Sequence, residues 1–220
     1  MFSLTIGNMK YTAVIVAAGS GTRLGLGYNK AYYRMGDKTI LERSMDLFLK
    51  DEDCEEIVVV TSAEDYYRET GSDTLGRIVL ASGGETRQKS VWNGLKAVIS
   101  DVVLIHDAAR PFLSAECLAE IKKTMETEDA ACLAVKCKDT IKLSEDGYFT
   151  RTLPREKLLS AQTPQAFRTS VLYEAMRLAD RDGFQATDDC SVVERYGHVR
   201  IKAVEGSYEN IKITTPEDIK

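Results

Sequence analysis

Residues Tyr11 to Lys30 read YTAVIVAAGSGTRLGLGYNK, and the first half of this stretch indicates the fold. The apolar run from Ala13 to Ala17 is rich in Val and Ile and stops at Ala18-Gly19, which is typical of a strand buried on both faces of a parallel sheet. A glycine-rich turn at the carboxyl end of a first parallel strand is where α/β sheets bind nucleotides. The chain is therefore predicted to form an α/β fold with a ligand site after its first strand.

The loop after this strand carries closely spaced glycines together with Arg23 and Lys30. Glycine lets backbone N–H groups approach phosphate oxygens, and the two cations supply charge. The spacing G-x-G-x-x-x-G differs from the G-x-G-x-x-G of dinucleotide-binding proteins, and the pattern G-x-x-x-x-G-K-[ST] of a P-loop does not occur. The loop suits a triphosphate, while a plain glycine-rich connection with two solvated cations is the alternative.

The composition limits the class of protein. A chain of 220 residues with 44% hydrophobic residues suits one α/β domain. The net charge of −5 argues against a general nucleic-acid binder, so any anion site must be a local cluster of Arg and Lys. The five scattered cysteines lack a C-x-x-C pair, which indicates reduced thiols in a cytoplasmic protein. No apolar run approaches the roughly 20 residues that a membrane span needs.

Strand and helix patterns alternate along most of the chain, which predicts a mainly parallel sheet. The predicted strands are 13–17, 56–61, 77–81, 101–106, 131–136, 158–167 and 200–205. The predicted helices are 39–50, 114–127, 169–180 and 188–196, with their capping residues, and one that continues through 91–99 after the second glycine turn. A further helix start is predicted at 215–218, so a terminal helix is expected to follow, and residues 1–8 are interpreted as an extension ahead of a start at Met9.

Polar residues follow two of the later strands directly. The run from Ser82 to Ser90, SGGETRQKS, is a second glycine turn that leads into a helix, so it is a candidate site for anions or base edges, although capping alone would explain its polarity. Asp107 and Arg110 come just past the fourth strand, at the ligand edge of such a sheet. His106 is interpreted as a structural residue, because its neighbour Asp107 is the better-placed group.

The regular alternation is interrupted after the fifth strand. Two short β-like runs, 140–143 and 148–152, flank the turn signal Glu145-Asp146-Gly147 and predict a β-hairpin. A hairpin that leaves a domain has unpaired edges and is marginally stable alone, so pairing with a second subunit is expected.

Six blocks, taken in order, resemble the 2-C-methyl-D-erythritol 4-phosphate cytidylyltransferase family. They are AAGSGTRLG with Lys30, GGETRQKSV, IHDAARP, the run from Arg155 through AQTPQAF, ATDDCS, and NIKITTPED. The resemblance implies a Rossmann-like nucleotidyltransferase fold with a mainly parallel sheet and a protruding β-hairpin arm. It implies one domain over residues 1–220, with residues 138–155 as a dimerisation arm. It also implies a homodimer, Mg²⁺, and the joining of CTP and methylerythritol phosphate into CDP-methylerythritol and pyrophosphate, a step of non-mevalonate isoprenoid precursor synthesis.

The resemblance further implies roles for single residues. The catalytic residues would be Arg23, Lys30, Arg155 and Lys212. The nucleotide would contact Ala17, Ala18, Gly19, Gly84, Glu85, Ser90 and Asp107, with Asp107 near the ribose and the metal. The methylerythritol phosphate would contact Asp107, Arg110, Thr140, Arg155, Thr163, Thr187 and Lys212. Thr140 and Arg155 belong to the arm, so they would reach the site of the other subunit.

The proposed chemistry is consistent with these residue types. The nucleophile is a phosphate monoester with a second pKa of about 6, so it is already largely dianionic and needs no general base. In-line attack on the α-phosphate instead requires two mutually repelling anions to be held together by positive charge and N–H groups. The chain offers such groups.

Two alternatives and one departure from the family pattern are noted. Ribitol-5-phosphate cytidylyltransferases tend to carry H-D-A-V-R-P or H-D-S-V-R-P, whereas Ala109 stands here. A non-catalytic nucleotide-binding module is the alternative from another class. The family usually has Pro-Lys-Gln where this chain has Asn29-Lys30-Ala31, which changes the hydrogen bonding expected in the phosphate loop.

Overall fold

The computed structural model describes residues 9–19, 27–70 and 76–219. Its strands are β1 (Tyr11–Val16), β2 (Arg34–Met35), β3 (Lys38–Thr39), β4 (Cys54–Val60), β5 (Ile78–Ala81), β6 (Val102–Asp107), β7 (Ala130–Lys136), β8 (Lys142–Glu145), β9 (Tyr148–Thr152), β10 (Leu159–Arg168) and β11 (Lys202–Glu205). Its helices are α1 (Ile40–Lys50), α2 (Ala63–Thr70), α3 (Arg87–Leu95), α4 (Ala115–Thr124), α5 (Thr169–Asp182) and α6 (Asp189–Tyr196).

The central sheet has seven strands in the order β11-β7-β10-β6-β1-β4-β5. The pairs β1–β4, β1–β6, β4–β5 and β7–β11 are parallel, and β10 alone runs antiparallel to its neighbours β6 and β7. The predicted α/β fold with a mainly parallel sheet is thereby confirmed. Because β10 is reversed, its first residues lie at the carboxyl edge of the sheet, beside the end of β6.

Helices cover both faces of this sheet and form two apolar cores. Alternate residues of a strand point to opposite faces, and β1 shows this: Ala13 and Ile15 belong to the core that contains α1 and α4, whereas Val14 belongs to the core that contains α3, α5 and α6. Burial on both faces explains why these strands read as continuous apolar runs.

The predicted caps of α1 and α4 are confirmed. The Thr39 hydroxyl accepts a hydrogen bond from the Glu42 backbone N–H, and the Glu42 carboxylate accepts one from the Thr39 N–H, which is a complete capping box. The Ser114 hydroxyl accepts from the Cys117 N–H. Helix α4 ends at Thr124, however, and the predicted continuation to Thr127 forms turns.

Two further helix predictions were wrong in detail. Helix α3 begins after Thr86 but ends at Leu95, where the Ala97 and Val98 N–H groups bond the Gly94 and Leu95 carbonyls in a turn. Thr169 does not cap α5; it is the first helical residue, and its hydroxyl donates to the Ser100 carbonyl at 2.7 Å.

The predicted hairpin is confirmed, and it stands apart from the sheet. Strands β8 and β9 pair only with each other, joined by Asp146 (φ 50°) and Gly147 (φ 83°), the left-handed pair that a tight two-residue turn requires. Near the end of the described chain, Pro216–Asp218 forms one 3-10 turn where a helix start was predicted. Within the described residues, no helix has the length and apolar character of a membrane span.

Candidate active site

A pocket of about 390 Å³ opens at the carboxyl ends of β1 and β6. The chain proceeds from β1 to β4 and β5 on one side and then crosses to β6 on the other, so the pocket lies at the switch point where open α/β sheets bind ligands. Its walls come from the ends of these strands, the second glycine turn and two separate lysines. The lining residues include Ala17, Ala18, Gly19, Asn29, Lys30, Gly84, Glu85, Thr86, Arg87, Ser90, Asp107, Ala108, Ala109 and Lys212.

Close backbone approach shapes the wall made by the second glycine turn. A Cβ atom on Gly83 would lie 2.4 Å from the Ala18 Cβ, so only glycine lets this turn meet the loop after β1. The Gly84 N–H donates to the Ser90 hydroxyl at 3.0 Å, and that hydroxyl donates to the Thr86 carbonyl. The turn is therefore fixed to the first turn of α3 rather than to solvent.

A chain of alternating charges runs along one side of the pocket. Lys212 Nζ lies 2.7 Å from Asp107 Oδ2, Arg87 Nε lies 2.9 Å from Asp107 Oδ1, and Arg87 Nη2 lies 2.9 Å from Asp189 Oδ2. Burial alone would raise the pKa of Asp107, but Arg87 and Lys212 outweigh it and hold that pKa well below its usual range. Asp107 is thus an anion at every ordinary pH.

Hydrogen bonds behind Asp107 fix its backbone. The Asp107 N–H donates to the Thr163 hydroxyl at 3.0 Å, and that hydroxyl lies 3.0 Å from His106 Nδ1, while His106 Nε2 lies 3.1 Å from the Arg110 carbonyl. Burial lowers the pKa of His106 to about 4, so the imidazole is neutral near pH 7. A neutral ring that accepts from Thr163 and donates to the Arg110 carbonyl satisfies every group. These contacts agree with the prediction that His106 is structural.

The turn that carries Lys30 is held by the residue before it. The Asn29 side chain accepts from the Ala31 N–H at 3.0 Å and donates to the Ala17 carbonyl, so it caps the turn and ties it to the end of β1. Lys30 Nζ donates to the Ile213 carbonyl at 2.7 Å. Asn29 therefore supplies local hydrogen bonds in the segment where the family pattern differs.

The segment after β11 crosses the pocket and delivers Lys212. The Asn210 side chain donates to the Thr163 carbonyl at 2.9 Å, and the Asn210 backbone carbonyl accepts from Arg110 Nη1 at 2.6 Å. Further along, the Ile213 N–H donates to the Ala109 carbonyl at 2.8 Å. Lys30 bonds the Ile213 carbonyl of this segment, and Asp107 pairs with the adjacent Lys212. The segment thereby links Lys30 and Asp107, which are far apart in the sequence.

Gln165 links the AQTPQAF block to the ATDDCS block. Its side-chain oxygen accepts from the Cys190 N–H at 3.0 Å, and its amide nitrogen donates to Asp188 Oδ2 at 2.8 Å. Asp188 is the N-cap of α6, so Gln165 positions the start of that helix beside the pocket.

The structure brings most of the predicted site residues together. Nine of them line the pocket: Ala17, Ala18, Gly19, Lys30, Gly84, Glu85, Ser90, Asp107 and Lys212. Thr163 and Arg110 lie directly behind Asp107 and Asn210. Thr187 is exposed at the start of α6. Arg23 lies outside the described residues.

The two predicted residues of the arm do not line the pocket of their own chain. Thr140 and Arg155 are exposed, and Arg155 Nη1 donates to the Lys138 carbonyl at 2.9 Å. Their position is compatible with the expectation that they serve another subunit.

Sequence reasoning missed four residues that organise the site, namely Arg87, Gln165, Asp189 and Asn210. All four stand inside the quoted motif blocks, which is the signal that could have found them. Their roles depend on partners that are distant in sequence: 102 residues separate Arg87 from Asp189.

Comparison with known proteins identifies the family of this chain. A sequence profile of the 2-C-methyl-D-erythritol 4-phosphate cytidylyltransferase family matches residues 11–220. The enzyme of that name from Geobacillus kaustophilus is 41% identical over 218 residues, covering 96% of this chain and 94% of the relative. The one from Geotalea uraniireducens is 43% identical over 221 residues, with the same coverage of each chain.

Solved structures give the same result. The crystal structure of 4-diphosphocytidyl-2C-methyl-D-erythritol synthase from Anaerococcus prevotii superposes with a TM-score of 0.84 at 33% identity and covers 96% of this chain and 95% of that one. The cytidylyltransferase from Thermus thermophilus gives 0.77 at 32% identity, with 94% of each chain covered. The resemblance seen in the six motif blocks is confirmed, and the chain belongs to the 2-C-methyl-D-erythritol 4-phosphate cytidylyltransferase family.

Proposed function

We propose that this chain is a nucleotidyltransferase that joins CTP and 2-C-methyl-D-erythritol 4-phosphate into CDP-methylerythritol and pyrophosphate, in non-mevalonate isoprenoid precursor synthesis. The observation that carries the proposal is the pocket at the switch point, which Lys30 and Lys212 enter from separate segments. Membership of the family supports the identity of the two substrates.

The reaction is an in-line displacement at the CTP α-phosphate. The dianionic phosphate of methylerythritol phosphate attacks, the new P–O bond forms, and pyrophosphate leaves from the opposite side. Neither step needs a general base, since the nucleophile is already ionised. His106 is neutral and enclosed, and the mechanism does not need it as a base. The task of the site is to position the two substrates and to neutralise their charge.

Each wall of the pocket has a proposed task. Lys30, together with Arg23, holds the triphosphate and stabilises charge that develops during transfer. Ala17, Ala18 and Gly19 have small side chains, so the nucleotide can lie against backbone there, and Gly84, Glu85 and Ser90 face the cytosine. Lys212, Arg110, Thr163 and Thr187 gather the acceptor phosphate and its polyol.

Mg²⁺ is proposed as the metal, with Asp107 as its protein ligand. The described residues contain no cluster of three or more side chains able to hold a metal. One carboxylate is enough for Mg²⁺ when substrate phosphates supply its other ligands, and Asp107 Oδ2 would be free to bind the metal once Lys212 moves from it to a phosphate. When bound, the metal would neutralise phosphate charge. Asp107 would also approach the ribose.

The arm is proposed to form a homodimer and to deliver Thr140 and Arg155 to the pocket of the second subunit. Its exposed aromatic residues and unpaired edges support this assembly. A cytoplasmic location is proposed as well, in keeping with five free thiols.

Pyrophosphate release from CTP tests the proposal. Purified protein is incubated with CTP and either methylerythritol phosphate or ribitol 5-phosphate, and reactions without an acceptor serve as the control. We expect turnover with methylerythritol phosphate that greatly exceeds turnover with ribitol 5-phosphate. Equal or faster turnover with ribitol 5-phosphate would overturn the substrate assignment, and no turnover with either would favour a non-catalytic module.

A further inference from the structure

Arg87 and Asp189 form the inner end of the charge chain and have no task in the mechanism above. The Arg87 guanidinium bridges two carboxylates, with 2.9 Å from Nε to Asp107 Oδ1 and 2.9 Å from Nη2 to Asp189 Oδ2. The Asp189 side chain is 1% exposed, and its other oxygen, Oδ1, is buried without a hydrogen-bond partner.

Burying Asp189 is costly, and its own helix does not account for it. An ionised carboxylate in the interior costs several kcal/mol unless it is paired. Asp189 is the first residue of α6, but the neighbouring Asp188 caps that helix, accepting from the Ser191 N–H at 2.9 Å. The described hydrogen bonds of the Asp189 carboxylate lead only to Arg87. The contact that the buried Asp189 carboxylate makes is therefore with the Arg87 guanidinium.

We propose that Asp189 is a positioning residue that acts through Arg87 on Asp107. Asp189 fixes one edge of the guanidinium, so that the Nε edge faces Asp107 and orients its carboxylate. The planar guanidinium has N–H groups on separate edges, so Arg87 holds one carboxylate with Nε and the other with Nη2 in a fixed relative orientation. This inference rests on the proposed function, in which Asp107 and Lys212 contact the substrates.

The arrangement gives the two cations beside Asp107 different tasks. Arg87 is held on both sides and is the permanent partner of Asp107. Among the described residues, the Lys212 side chain pairs with Asp107 alone, and it is more exposed, at 37% against 27% for Arg87. Lys212 can therefore exchange from Asp107 to an incoming phosphate while Arg87 keeps the Asp107 carboxylate oriented.

Four proteins test this inference: wild type, Asp189→Asn, Arg87→Gln and the double variant. Asp180→Asn is the matched control, because Asp180 also pairs with a cation of α3, Lys89, at 2.8 Å, but at the surface. We expect Asp189→Asn to lower kcat at least about tenfold while KM for methylerythritol phosphate changes less than about threefold. The control should match wild type in both constants.

The double variant separates positioning from a general structural role. If Asp189 acts only through Arg87, the double variant is no slower than Arg87→Gln alone, because the interaction is already lost. It should also melt at a higher temperature than Arg87→Gln, in which Asp189 is left as an unpaired buried charge. Penalties on kcat that multiply, or the reverse order of melting temperatures, would overturn the inference.

Failure of this inference is distinguishable from failure of the proposed function. A wild type without CTP turnover refutes the proposed function, and the positioning role falls with it. An active wild type together with a fully active Asp189→Asn protein refutes the positioning role alone. Asp189→Asn removes a buried charge and does not create one, so its kcat decides the matter even if Arg87→Gln does not fold.

Discussion

The pocket and the arm treat their polar and apolar groups in opposite ways. Around the pocket, Asp107, Thr163, Asn210 and Gln165 are buried and paired with groups from distant parts of the same chain. On the arm, every residue from Lys142 to Thr152 is exposed, and the side chains of two aromatic residues, Tyr148 and Phe149, are 78% and 77% exposed. The pocket pairs its buried polar groups within a single chain, and the arm leaves large apolar surface in water.

This difference shows which part of the function one chain can supply. The pocket is lined by a preorganised set of charged groups and is open to a nucleotide. The arm is a lone two-stranded hairpin with exposed aromatic residues, which a protein retains when another surface covers them. We infer that the arm completes a pocket that is not its own.

The largest effect should follow from breaking the pocket itself. Replacing Lys30 with Ala removes the cation that we propose acts on the transferring phosphates, and losing one such group costs on the order of 10²–10³ in rate. We expect kcat to fall by this factor and KM for methylerythritol phosphate to change far less. Steady-state kinetics measures both, with the exposed Lys50→Ala as control. An unchanged kcat would remove Lys30 from the mechanism.

Substitutions in the arm should weaken dimerisation and lower activity only through the loss of dimers. Replacing Tyr148 and Phe149 with Ser removes two large side chains, each worth roughly 1.5–3 kcal/mol when buried. We expect the Kd of the dimer to rise by at least about a hundredfold, and specific activity to fall with dilution. Sedimentation equilibrium measures the Kd, and Tyr67→Ser, an exposed aromatic on α2, should leave it unchanged. A variant that dimerises as tightly as wild type would exclude the arm from the interface.

A second charge network sharpens the comparison, because it lies at the amino edge of the sheet, away from the pocket. Lys122 Nζ lies 2.6 Å from Asp51 Oδ2 and 2.8 Å from Asp53 Oδ2, and all three side chains are largely buried. Replacing Lys122 with Met leaves Asp51 without its paired cation and Asp53 with only Lys10, at 3.4 Å, so we expect the free energy of unfolding to fall by about 2 kcal/mol while kcat is unchanged. Denaturant unfolding measures this loss, with the adjacent exposed Lys123→Met as control.

The same network predicts a pH dependence. The hydrogen bond and charge of Lys122 hold the pKa of Asp53 below its usual value. A lowered folded-state pKa stabilises the protein above about pH 4 and loses that effect as the pH falls through the folded pKa. The difference in the free energy of unfolding between wild type and Lys122→Met should therefore become smaller in acid. A difference that grows as the pH falls would contradict the assignment.

The smallest effect should come from Asn29. Replacing Asn29 with Ala removes a cap worth about 1 kcal/mol, which corresponds to roughly a fivefold loss in kcat/KM if the turn positions Lys30. Asn29→Asp keeps the acceptor for the Ala31 N–H but loses the donor to the Ala17 carbonyl, so it should fall between wild type and Asn29→Ala. Wild-type kinetics in the alanine variant would show that Lys30 is positioned without Asn29.

Local signals predicted the fold well. Buried parallel strands leave continuous apolar runs, and caps such as Thr39 and Ser114 leave a residue type at a fixed place, so both could be recognised within a short window of sequence. The end of α3 and the task of Thr169 could not, because Val98 and Ile99 keep the helical spacing after α3 has ended, and Thr169 bonds Ser100, which is distant in the sequence.

The sequence predicted many residues of the candidate site but not the hydrogen bonds and ion pairs that connect them. Asp107 was predicted from its place after a strand, Lys30 from the glycine-rich loop, and Lys212 from the family resemblance of the motif blocks. That Arg87 would join Asp107 to Asp189 depends on α3 and α6 meeting across the pocket. Such a contact has no signature in a single sequence.

The central claim, that the arm completes a partner's pocket, is tested most directly by mixing two inactive proteins, Arg155→Ala and Lys30→Ala. After dissociation and reassociation, about half of the dimers are mixed, and each mixed dimer has one site with both lesions and one with neither if Arg155 acts in the partner. About a quarter of wild-type activity should then return. A mixture that stays inactive although mixed dimers have formed, or a wild type that is a fully active monomer, would contradict the claim.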